Sequence, residues 1–189
     1  MTKEIKIVIG LLLGLIIVYL FNVRSQNSYE INSTAIFNKN IDDIAFINIQ
    51  DGKTELQLVR SDTTWKIAKV DSLVIKDNQI DNLFNKVLTV RQELLMTSKP
   101  EKWEKFGVSD STGRHLKLYK QDGSVILHYL FGNTGQDYQH NYIRDINSND
   151  VYRTDNNVYY LLNTSNTYWG KPLPPPPSID SLIVPNDQN

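Results

Sequence analysis

The residues best suited to acid–base chemistry or metal binding are the three histidines, His115, His128 and His140. A zinc site uses ligands at short, set spacings such as H-E-x-x-H. These histidines are far apart in the chain, and two of them fall in segments of strand character, so they read as ordinary strand or loop residues. The chain has no Cys, which excludes disulfides, thiolate metal ligands and a cysteine nucleophile. It has no G-x-S-x-G elbow. Asp42 and Asp43 are adjacent, so in an extended segment their side chains diverge and cannot face each other as an acid–base pair. Gly132-Asn-Thr-Gly135 lacks the lysine of a phosphate loop. No catalytic residue, metal or cofactor is therefore expected, and the chain does not read as an enzyme. One cluster could bind a ligand. Tyr138, His140 and Tyr142, beside Gln136, Asp137 and Asn141, combine aromatic and amide groups as a sugar- or peptide-binding surface does. A turn flanked by strand tyrosines is the plainer reading.

The elements that must position these residues are mainly strands. Ile44–Ile49, Glu55–Arg60 and Trp65–Ile67 are short and rich in β-branched or alternating apolar residues. Asp51-Gly52 is a hairpin signal, because a type I′ turn needs positive φ at both central residues. Ile80, Leu83, Phe84, Val87 and Leu88 follow helical spacing and predict a helix over Asn78–Leu88, capped by Asp77 or Asn78. Leu94–Met96 reads as a strand. Ser98-Lys-Pro-Glu101 fits a capping box, with Gly107 as the left-handed stop and Trp103 and Phe106 anchoring the short helix to the core. His115–Lys120 and Val125–Phe131 form a second hairpin around Gln121-Asp-Gly123. Asn141–Arg144 pairs with Val151–Arg153, and a last short helix follows Asp155. Lys171–Pro177 is expected to be extended polyproline. The fold class is α+β: a domain of mainly antiparallel hairpins with a few short helices, following one amino-terminal transmembrane helix.

That transmembrane reading rests on Ile7–Phe21, an uncharged run in which 12 residues are Leu, Ile, Val or Phe. Such a run gains about −4 to −7 kcal/mol on insertion. Lys6 and Arg24 can snorkel to the headgroups at either end. Lys3 and Lys6 hold the leading side in the cytoplasm, so the rest of the chain is expected outside. The run reads as a retained anchor rather than a cleaved signal, since no A-x-A type site follows it. Gly10 and Gly14 form a G-x-x-x-G pattern that would let a second helix approach closely. The organisation expected is 1–24 cytoplasmic start and anchor, 25–43 stalk, 44–170 extracytoplasmic domain and 171–189 Pro-rich tail. With 20 basic and 21 acidic residues and no basic stripe, nucleic acid is not an expected partner.

Trp65-Lys-Ile67, Trp103-Glu-Lys-Phe-Gly-Val108, Leu130-Phe-Gly132, Asn141-Tyr-Ile-Arg144 and Val151-Tyr-Arg153 come in the order and spacing of a known family. The chain from Ile44 to Trp169 resembles the domain of unknown function 4340 family, and the Pro-rich tail lies outside that pattern. The resemblance implies a single amino-terminal anchor, an exported mixed α/β domain and no catalytic residues. It also implies association with membrane components of a transporter type linked to bacterial gliding motility. The expected role is a non-catalytic accessory subunit in the bacterial cytoplasmic membrane. Its partners would be the lipid bilayer and integral membrane proteins of a transporter-like complex. The alternative is a binding module for cell-envelope glycan or peptide. A reporter active only outside the cytoplasm, fused after Asn189, is expected to be active; activity of a cytoplasm-only reporter there would reverse the topology.

Overall fold

The computed structural model describes residues 33–135 and 137–175 and, near the amino terminus, residues 5, 10 and 12–20. Alternating apolar residues set the sheet. In β1 (Phe46–Asp51), Ile47 and Ile49 turn to one face and are fully buried. They pair directly with Leu58 and Leu56 of β2 (Thr54–Ser61). This register puts the turn at Gly52-Lys53, one residue later than Asp51-Gly52, and only Gly52 is left-handed, at φ +56°. The direct pairing of two apolar couples decides the register over the local turn signal.

β3 (Thr64–Ile67), β5 (Gln92–Thr97), β6 (Arg114–Tyr119), β7 (Val125–Thr134), β8 (Asn141–Asp145) and β9 (Val151–Thr154) complete an antiparallel sheet of eight strands. The order is β3-β2-β1-β6-β7-β8-β9-β5, so β3 and β5 are its edges. β4 (Leu73–Ile75) pairs separately with β10 (Gly170–Pro172). The sequence expectation of polyproline from Lys171 is therefore corrected at its start, where Lys171 and Pro172 lie in a strand. Pro172 stands opposite Leu73 at the end of this two-stranded ladder, a position that tolerates proline. The mainly antiparallel domain with a few short helices stands as expected.

One face of the sheet carries the main core. Leu116, Leu118, Phe131 and Ile143 join the β1–β2 residues there, and Leu83, Val87, Leu88, Leu162 and Trp169 cover them. The helix over Gln79–Asn82 continues as a π-turn through Leu83–Val87, closed by Leu88 N–H to Leu83 O at 3.0 Å. The wider turn brings Leu83, Val87 and Leu88 to the core together, which strict helical spacing does less well. Asn78 precedes this helix with φ +65° and makes no side-chain cap. The capping box at Ser98 does not form. Lys99 precedes Pro100 and is held extended, so the 3₁₀ turns Pro100–Lys102 and Glu104–Phe106 start one residue later than a Ser98 cap needs. Thr97 Oγ1 accepts from Lys99 N–H instead, at 3.2 Å. The last helical pieces are a 3₁₀ turn at Tyr159–Leu161 and a helix at Asn166–Trp169 that the sequence reading lacked.

Of the segment read as a stalk, the described residues from 33 onward join the domain. Ile36 is buried, and its N–H bonds to Val90 O while Thr34 O accepts from Gln92 N–H, both at 3.0 Å. Residues 12–20 are helical, and Leu12 to Leu20 are exposed. Among the described residues, no helix is long and apolar enough to cross a membrane. Most of the flanks of the expected anchor lie outside the described residues.

Trp169 is 1% exposed and donates from Nε1 to Asn163 O at 2.6 Å. Trp103 is only half-buried, against a smaller cluster. Trp169→Ala is expected to cost about 3–5 kcal/mol, and Trp103→Ala less. Denaturant unfolding of the two variants checks the order.

Candidate interaction site

The second face of the sheet is polar along most of its length and carries a small apolar cluster at one end. The cluster is Phe106, Val108, Leu130 and Val151, flanked by Met96, Trp103, Tyr142 and Ile146. Two glycines let the 3₁₀ segment lie on it. A Cβ on Gly132 would sit 1.9 Å from Phe106 O, and Gly107 has φ +65°. The requirement at Gly132 is close backbone approach, and residues 132–134 belong to β7 rather than to a loop.

Arg144 ties this layer together. It is 2% exposed, with Cζ 3.7 Å from the Trp103 ring centroid. Its Nε donates to Val108 O at 3.0 Å, and Nη1 to Ser148 O at 3.3 Å and Ile146 O at 3.4 Å. Its Nη2 meets Asp110 Oδ1 at 2.5 Å, but that carboxylate is 69% exposed. Most of the buried donors are thus met by main-chain carbonyls.

On the same face His115 and His128 come together, which their separation in the chain hides. His115 Nδ1 lies 2.9 Å from His128 Nε2, and His115 Nε2 lies 3.0 Å from Asp110 O. A carbonyl only accepts, so His115 carries its proton on Nε2, and His128 Nε2–H donates to His115 Nδ1. Burial pushes His128 down to about 4, helped by Lys117 and His115. His128 is therefore neutral near pH 7. Among the described residues no group of three or more His, Asp or Glu side chains is placed to hold a metal ion.

The third histidine belongs to the cluster singled out in the sequence. His140 Nδ1 is 2.7 Å from Thr154 O and therefore donates to it. His140 Nε2 lies 3.3 Å from Asp137 Oδ2, and Nδ1 lies 3.8 Å from Glu93 Oε2. Arg153 Nη2 meets the same Glu93 oxygen at 2.7 Å. Tyr138 is 77% exposed at φ +57°, its carbonyl accepting from Asn157 Nδ2 at 3.0 Å. Tyr142 instead turns inward, edge-on to Phe106 at 4.8 Å. The three residues do not form one aromatic platform. Tyr138 stands at the surface, His140 in a row of polar contacts with Asp137 and Glu93, and Tyr142 in the cluster. Asn141 is fully buried and holds the neighbouring turn, its Oδ1 accepting from Val158 N–H at 2.6 Å and Tyr159 N–H at 3.0 Å.

That row of polar contacts ends at Glu93 of β5, an edge strand of the sheet. Leu94 and Leu95 are 42% and 47% exposed there. Two irregularities in the β5–β9 register, between Gln92 and Leu94 and between Leu95 and Thr97, leave both leucines outside the core. The sequence reading had Leu94–Met96 as a strand but did not place its two leucines outside the core. The available signal was three consecutive apolar residues, Leu94-Leu-Met96, which alternation cannot bury on one face. Gly10 and Gly14 lie in helical backbone, and among the described residues nothing beyond their own helix backbone comes within 4 Å of a Cβ built on either.

The family model for the domain of unknown function (DUF4340) matches residues 65–172. The chain belongs to the DUF4340 family. The matched residues run from β3 to β10 and contain the Arg144 layer, the histidine pair and the β5 edge. β1 and β2 precede the match, yet β1 lies between β2 and β6, so they complete the sheet of this DUF4340 domain. No curated protein and no solved structure matches the chain.

His128 gives the DUF4340 domain a pH dependence. The folded state resists protonation at His128 down to about 4, whereas an unfolded histidine takes a proton near 6.5. The unfolded state binds more protons between these values, so stability is full above about pH 6.5 and falls as the pH drops towards about 4. His128→Gln is expected to flatten that part of an unfolding-versus-pH profile.

Proposed function

We propose that this chain is a non-catalytic accessory subunit of a bacterial membrane complex, transporter- or gliding-motility-associated. An amino-terminal helix holds it in the cytoplasmic membrane, and the DUF4340 domain projects outside as an interaction domain. The observation that carries the reading is the β5 edge. An edge strand presents unpaired main-chain groups, and soluble proteins usually blunt such edges with charge or cover; Thr34 covers only the Gln92 end of β5 among the described residues. Here two large apolar side chains stand on the edge, with Glu93 and Arg153 beside them. Strand addition by an extended partner segment would use the main-chain groups for affinity and the leucines for specificity.

The helical stretch 12–20 supports the membrane part of the reading, since its leucines, isoleucines and valine are exposed all round. At about 1.5 Å per residue it is too short to cross a bilayer alone, and the anchor needs its flanks. The partners are the lipid bilayer and integral membrane proteins of a transporter-like complex. Nucleic acid has no part in this reading.

The exposure of Tyr138 favours a second reading, a module for cell-envelope glycan or peptide. Under it, Tyr138→Ala with Tyr142→Ala would abolish retention on cell-wall material. Under the leading reading, Leu94→Asp with Leu95→Asp should lower the yield of co-purifying integral membrane proteins at least tenfold after gentle solubilisation. The circular dichroism spectrum should be unchanged. An unaltered set of co-purifying proteins would remove β5 as the interface.

A further inference from the structure

Among the described residues β3 is the other edge of the sheet, at the end opposite β5. Ala68 N–H donates to Gln57 O at 2.8 Å. Main-chain groups alternate in direction along an antiparallel strand, so those of Lys66 and Thr64 face β2 and those of Trp65 and Ile67 face outward. Ile67 O is taken by Val70 N–H at 3.3 Å. Beside Trp65 a groove of about 540 Å³ opens between β3 and the β4–β10 pair. Its walls are mainly apolar, with Trp65, Val70, Leu73, Ile75 and Ile80, and Lys66 and Asp71 are the charged residues of its lining. The volume lies within the roughly 300–1,000 Å³ of built ligand sites.

The chain itself leads into this groove. β10 ends at Pro172, and Leu173, 52% exposed, is part of the lining, with its N–H bonded to Ser72 O at 3.4 Å. Beyond Leu173, apart from prolines, the apolar residues are Ile179, Leu182, Ile183 and Val184. The last three form a strand-type run. The eight residues 174–181 give a tether of about 25 Å at ~3.1 Å per residue. That length allows an outward leg through the prolines, a turn at Ser178-Ile-Asp-Ser181 and a return.

We propose that Leu182-Ile-Val184 of this same chain docks in the groove as an added strand on the outer edge of β3. The groove and the run match in chemistry: apolar side chains for the apolar walls, and main-chain groups for those of Trp65. The docked run closes one edge of the sheet and leaves β5 as the edge open to partners. It stands independently of the function proposed above.

The chain has no Cys, so an introduced pair is unambiguous. Val70→Cys with Ile183→Cys, in the full chain in detergent, should cross-link within the molecule at least tenfold faster than Asp122→Cys with Ile183→Cys. A covalent dimer would assign the groove to a second copy and overturn the proposal, as would equal rates in the two variants. Hydrogen exchange gives a reading free of cysteine geometry. The Trp65 amide should exchange at least tenfold faster in a chain ending at Pro177 than in the unaltered chain, and equal exchange would overturn the proposal.

Discussion

Arg144 is the constraint on which the second layer of this domain depends. A buried guanidinium is tolerated only if its donors are met. Here Val108, Ile146 and Ser148 supply main-chain carbonyls, and the Trp103 ring covers the charge. Each of those partners belongs to a segment outside the strands. Satisfying one side chain therefore fixes the 3₁₀ segment and the β8–β9 turn on the same end of the sheet. Gly132 is the steric counterpart, since any side chain there would strike Phe106 O.

The two faces divide the work. The main core lies on one face, where Ile47, Ile49, Leu116 and Leu118 make direct cross-strand rows. The other face is left for polar groups, and it is there that His115 meets His128 and that Asn48 donates to Glu55. The histidine pair is a proton-ordered contact ending on a carbonyl. It links β6 to β7 and to the Asp110 turn. The edges complete the division, with an apolar groove at β3 and exposed leucines at β5.

Much of the candidate site was legible residue by residue and illegible as a site. Tyr138, His140 and Tyr142 are neighbours in sequence, and their types suggested a shared surface. The β8 register instead sends Tyr142 to Phe106, while a left-handed backbone at residue 138 throws Tyr138 outward. His115 and His128 showed the reverse, looking unrelated until the β6–β7 pairing put Lys117 opposite His128 and His115 one step along.

Legible from the sequence were the eight strands of the large sheet, the apolar amino-terminal run, the left-handed stop at Gly107 and the family; β4 was not. These depend on period, composition and local backbone sterics, which short stretches encode. Tertiary structure alone decided the turn at Gly52-Lys53 and the strand at Gly170–Pro172. It also decided that Leu94 and Leu95 stand outside the core. Each of those outcomes turns on which strand lies beside which, and a local propensity of a few tenths of a kcal/mol to about 1 kcal/mol yields to the burial of whole cross-strand rows.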